Sequence, residues 1–124
     1  MRIRRREFDA LFERALADLP PRFAKWVEEV PVILEDEPSE ELLDEMGMGE
    51  DGQLLGSYHG VALTRRSIED SARLPDQILI FRRALVAMCK TPEELALEIR
   101  KTLLHELGHY AGLEEKDLED LGYG

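Results

Sequence analysis

Leu103-Leu104-His105-Glu106-Leu107-Gly108-His109-Tyr110-Ala111-Gly112-Leu113-Glu114-Glu115 is the stretch that decides how this chain is read. It contains the pattern H-E-x-x-H. On a helix, positions i and i+4 lie one turn apart on the same face, so His105 and His109 offer two imidazole nitrogens to one metal ion. Glu106, about 100° further round, is placed to hold a metal-bound water and accept its proton. Chance gives such a pattern in a chain this short roughly a few times in a thousand. The chain has only 3 histidines, and two of them are here.

The helix carrying the pattern is well specified. Thr91-Pro92-Glu93-Glu94 supplies a capping residue, a proline for the first helical position and a glutamate three residues after the cap. Leu95, Ile99, Leu103, Leu107 and Tyr110 then recur at spacings of four, four, four and three, one continuous apolar stripe. Leu97 and Leu104 are expected to widen it. At 100° per residue the two histidines fall nearly opposite the stripe, on a seam with Glu98, Lys101 and Thr102. They are therefore expected to face a surface or cleft open to metal and substrate.

Zinc in hydrolases usually has three protein ligands and one open position. Gly112 is suited to a left-handed conformation that ends the helix and turns the chain back. The acidic side chains beyond it are Glu114, Glu115 and Asp117. The spacing H-E-x-x-H-x-x-G-x-x-E makes Glu115 the first choice as third ligand, ahead of Asp117 and Glu114.

With these residues in place, the chain resembles the small bacterial proteins of the minimal-zincin type, a family with a predicted metallopeptidase site. The likeness covers nearly the whole chain and includes Ala15–Pro20, Val32–Pro38, Leu54–Gly60 and Leu74–Ile78. Its most specific piece is His105–Leu113. The resemblance implies a stripped-down zincin fold with a Zn2+ site on the last long helix. Members of the family often carry aspartate where this chain has Glu115.

A length of 124 residues fits one domain spanning 1–124, and 44% hydrophobic residues suffice for a real core. A net charge of −11 argues against nucleic acid as a partner, because phosphate contacts need a basic surface. The single cysteine, Cys89, allows no internal disulfide and suits a reducing compartment. No apolar run reaches the roughly twenty residues of a membrane span, and the start lacks a signal-peptide segment. A cytoplasmic protein without membrane association is expected.

From the N-terminus, Phe8, Leu11, Phe12, Ala15, Leu16 and Leu19 follow the spacing of an amphipathic helix that Pro20-Pro21 stops. Phe23, Trp26 and Val27 suggest a second, short helix. Val32-Ile33-Leu34, Leu54–Leu63 and Gln77–Phe81 read as strands, the last of them central. Gly56 and Gly60 mark a bulge or a close backbone approach. Val27 to Asp51 holds 11 acidic residues and no Lys or Arg; it reads as a solvated loop with a short helix from Ser39 to Met46. Arg65–Leu74 reads as a polar connection, and Arg82–Lys90 as a link with a helical turn of its own. His59 is a lone histidine, more often structural than a ligand.

The expected fold class is α+β: a small mixed sheet of three to four strands packed against the N-terminal helix and the motif helix. Leu54–Leu63 is expected as an antiparallel edge strand along which an extended peptide binds. The chemistry expected is attack on a peptide carbonyl by a zinc-activated water, with Glu106 as general base. Only 15 residues follow His109 and none is methionine, so a metzincin Met-turn is not expected and the C-terminal lobe should be reduced to a short acidic helix near Glu114–Leu121. Tyr110 and Tyr123 are the hydroxyls available to an oxyanion. The alternative is a non-catalytic module that keeps the scaffold to bind peptides or proteins. Retention of Glu106 favours the enzyme, since a structural metal site has no use for that carboxylate.

Overall fold

The structure, a computed structural model, describes residues 1–47, 54–60 and 76–121, apart from the side chain of Glu115. The elements run α1 (Arg5–Ala17), α2 (Pro21–Glu29), β1 (Val32–Glu35), α3 (Glu40–Glu45), β2 (Gly56–His59), β3 (Gln77–Phe81), α4 (Arg82–Met88), α5 (Pro92–Ala111) and α6 (Glu115–Asp120). The fold is α+β, as expected. Residues 61–63 of the expected second strand and the whole 65–74 connection lie outside the described residues.

The strands form a mixed sheet in the order β1-β3-β2. β1 is parallel to β3, with Val32 opposite Ile78, and β2 is antiparallel to it, with Gly56 opposite Ile80. The near-continuous apolar run of β3 therefore lies in the centre, between β1 and β2. Ile78 and Ile80 are fully buried on one face and Phe81 on the other. Among the described residues β2 is an edge.

α5 crosses the Ile78/Ile80 face. Its Leu95, Ile99, Leu103 and Leu107 have no exposed surface, and each such burial contributes about 1.5–3 kcal/mol. Phe8, Phe12 and Ala15 of α1 and Phe23 of α2 complete the same core. Leu104 joins it, but Leu97 is 60% exposed. The reason is angular: Leu97 lies about 200° round the helix from both Leu95 and Ile99, on the side away from the sheet.

Both ends of α5 form as their residues dictate. Thr91 Oγ1 accepts the amide of Glu94 at 3.1 Å, and the Glu94 carboxylate accepts the amide of Lys90 at 2.6 Å. Pro92 fills the first helical position. At the other end Gly112 takes φ 87°, Leu113 N–H donates to Gly108 at 2.8 Å and Gly112 N–H to His109 at 3.0 Å. This is a Schellman closure, and it reverses the chain directly after His109. Among the described residues no helix is long and apolar enough to cross a membrane.

Candidate metal centre

His105, Glu106 and His109 lie on the last two turns of α5, with His105 and Glu106 turned toward β2. The two imidazoles are half-buried and Glu106 is only 7% exposed. The Nε2 atoms of His105 and His109 stand 2.9 Å apart, with the rings edge to face at 80°. One nitrogen from each ring and a Glu106 carboxylate oxygen all lie within 4.8 Å of one another.

The donors fit zinc. Two nitrogens held by one ion at about 2.0–2.1 Å each are separated by no more than about 4 Å, a condition the 2.9 Å pair meets. Imidazole and carboxylate are ligand types that zinc accepts, and the i, i+4 spacing lets one helix hold both rings with no backbone distortion.

Glu106 owes its surroundings to β2. In an antiparallel pair, alternate residues bond across the ladder and those between them turn their backbone groups outward. Phe81 N–H donates to the Leu55 carbonyl at 2.9 Å, so Leu55, Ser57 and His59 bond to β3 while Gly56 and Tyr58 face the open edge. The outward amide of Tyr58 donates to the Glu106 carboxylate. Burial pushes the Glu106 carboxyl up to about 7, and the Tyr58 amide pulls in the opposite direction. Gly56 lies against the same side chain: a Cβ there would come within 2.8 Å of Thr102 Cγ2 and 3.1 Å of Glu106 Cγ.

Tyr58 is itself pinned. Its ring meets Tyr110 edge to face at 6.0 Å, and its hydroxyl donates to Asp76 at 2.8 Å. Gly60, at φ 148°, passes so close that a Cβ would stand 2.3 Å from the Asp76 carboxylate. These contacts hold β2 in the register that delivers the Tyr58 amide to Glu106. The sequence marks Gly56 and Gly60 as close approaches, and they are. A backbone amide has no sequence signature, so the part played by Tyr58 is visible only in the fold.

Of the seam expected with the histidines, Glu98, Lys101, Thr102 and His105 face Leu55 and Gly56, together with Glu106, across a cavity of about 310 Å³; His109 does not line it. His59 lies elsewhere: its Nε2 bonds to Ser57 Oγ at 2.8 Å, and it lines a groove with Leu42, Leu79 and Phe81 on the other face of the sheet. Tyr110 is buried and its hydroxyl donates to Glu29 at 3.4 Å, which directs it toward the exposed end of α2 rather than toward an oxyanion. Tyr123 lies outside the described residues.

The side chain of Glu115 is also outside them, though its backbone begins α6. The two other acidic candidates are occupied. Asp117 accepts the Glu114 amide at 2.9 Å, and the Glu114 side chain accepts the amide of Asp117, a reciprocal cap on α6. α6 docks on α5 through Leu118, which is 1% exposed and lies against Gly108; a Cβ at Gly108 would meet it at 3.0 Å. A glycine inside an otherwise strong helix is the signal that could have announced this contact.

No curated protein matches the chain. A family model described as zincin-like metallopeptidase matches residues 27–124, which takes in the sheet, the motif helix and everything after it. The chain belongs to the zincin-like metallopeptidase family.

Proposed function

We propose that this protein is a zinc-dependent peptidase in which His105, His109 and Glu115 hold the metal and Glu106 is the general base. The observation that carries the reading is the convergence of two imidazole nitrogens 2.9 Å apart with a buried carboxylate, directly beside an edge strand. Glu115 is favoured as third ligand because Glu114 and Asp117 are committed to capping α6. A cytoplasmic location belongs to the same reading and is supported by the lone, buried thiol of Cys89.

When bound, zinc supplies Lewis-acid polarisation of the substrate carbonyl and makes a water acidic enough to attack at neutral pH. The rest falls to the chain. Glu106 accepts the proton of the attacking water on its carboxylate and returns it to the leaving amine. Its metal-free value of about 7 keeps it close to the range in which one group performs both transfers. The outward backbone groups of Gly56 and the outward carbonyl of Tyr58 would pair with an extended peptide, while the Tyr58 amide stays with Glu106; main-chain pairing of that kind gives affinity without demanding a sequence.

The test compares zinc-loaded wild type with Glu106→Gln on a mixed peptide library followed by mass spectrometry. Cleavage by the wild type alone is expected, with zinc retained in both. Equal cleavage by both overturns the assignment of Glu106. Firm zinc binding with no cleavage of any peptide would leave the non-catalytic binding module as the better description.

A further inference from the structure

We propose that the groove leading from the metal centre along α5 to Glu98 is a subsite for a basic side chain, with Glu98 as the residue that selects it. The proposal rests on the peptide-binding part of the reading above and names the class of residue that the site prefers.

The groove has an apolar floor and a charged end. Thr102 donates its hydroxyl to the Glu98 carbonyl at 2.7 Å, which commits the hydroxyl to the helix. Its Cγ2 methyl packs against Gly56, where an added Cβ would approach to 2.8 Å. That methyl, Leu55 and the bare backbone of Gly56 line the cavity as a closed apolar floor along which a methylene stem can lie.

Glu98 stands two turns before His105 on the same face of α5, about 10 Å away along the axis at 1.5 Å per residue. An extended peptide advances about 3.3 Å per residue, so a long side chain within two residues of the cleaved bond has the reach. The Glu98 side chain is 23% exposed and lines the groove, whereas Lys101, its partner at 3.6 Å, is 61% exposed and stands at the mouth. An i, i+3 pair at 3.6 Å with its cation in solvent is weak and yields readily to a competing cation. An anionic side chain entering the same space would meet the carboxylates of both Glu98 and Glu106. Sign, shape and reach all favour lysine or arginine.

The experiment uses matched peptides carrying Lys, Gln or Glu at each position in turn. Binding is measured by fluorescence anisotropy to zinc-loaded Glu106→Gln, which requires no turnover, and cleavage is mapped with zinc-loaded wild type. Lys peptides should bind at least about tenfold more tightly than Glu peptides, the worth of one charge-assisted contact in a half-buried wall. Adding Glu98→Gln should erase most of that preference, and Lys101→Ala should strengthen Lys-peptide binding. Glu93→Gln, which removes the same charge from the exposed first turn of α5, should leave the preference in place. Cleavage should fall within two residues of the basic side chain. A preference that survives Glu98→Gln, or one for Glu peptides, overturns the subsite. A Glu98-dependent preference without cleavage by the wild type sustains the subsite and overturns the peptidase reading instead.

Discussion

Gly56 lies so close to Glu106 that a Cβ at position 56 would stand 3.1 Å from Glu106 Cγ. The edge strand is thus pressed onto the proposed general base. This contact removes water from the carboxylate, brings the Tyr58 amide within reach of it and raises its proton affinity.

Gly56→Ala should therefore injure the site as well as the fold. The added methyl collides with Thr102 Cγ2 on a buried stretch of α5, and overpacking of this kind costs about 1–3 kcal/mol. The melting temperature should fall, and peptide turnover should fall further than zinc affinity does. Thermal melts beside zinc titration and a cleavage assay check it. Unchanged turnover would show that β2 does not position Glu106.

Loss of either imidazole should abolish stable metal binding. His105→Ala and His109→Ala should each return less than one tenth of the wild-type zinc after reconstitution, read by elemental analysis. In the wild type, zinc affinity should decline as pH falls through the histidine range, because imidazole binds metal only when neutral. Equal zinc in His105→Ala and wild type would remove the basis of the site.

The metal-free protein should carry the mark of Glu106 in its pH dependence. The folded value of about 7 is above the ordinary 4.5, so the folded state binds this proton more tightly than the unfolded state does. The resulting stability is fully present below about pH 4.5 and is lost as pH rises through 7. The difference is at most about 3 kcal/mol. Metal-free Glu106→Gln should lack this decline, so the variant should gain on the wild type between pH 5 and pH 8 on the order of 1–3 kcal/mol. Urea unfolding in chelator across that range measures it. Parallel curves for the two proteins would show that Glu106 is well solvated.

The third ligand is tested through the helix that carries it. Glu115→Ala should lower zinc affinity far more than Asp117→Ala, whose carboxylate caps the Glu114 amide. Gly108→Ala should act indirectly, by pushing on Leu118 and shifting α6 from its seat. Isothermal titration with zinc ranks the three variants. A larger loss in Asp117→Ala than in Glu115→Ala would transfer the ligand role by two residues.

Much of α5 was legible before any folding. Thr91 and Pro92 start it, Gly112 ends it, and the stripe from Leu95 to Tyr110 faces the core, because caps and the 3.6-residue period act within one helix. The pairing of His105 with His109 has the same local origin: an i, i+4 spacing brings two rings together wherever the helix goes. The short apolar runs gave the strands, and the continuity of Gln77–Phe81 gave its central place. Leu97 shows the limit of pattern alone, since its angle on the helix, not its hydrophobicity, decides that it stays 60% exposed among the described residues.

What surrounds the histidines was settled by contacts between distant parts of the chain. Nothing local to Glu106 says that it will be buried; that follows from Gly56, fifty positions earlier, and from the outward amide of Tyr58. Nor does His59 reveal from its neighbours that strand alternation will carry it to the opposite face of the sheet. The juxtaposition of the two imidazoles can be read from the chain alone, because its geometry is internal to a single helix. The proton affinity of Glu106 and the shape of the groove come from the fold, because both depend on which backbone comes to lie against that helix and how closely.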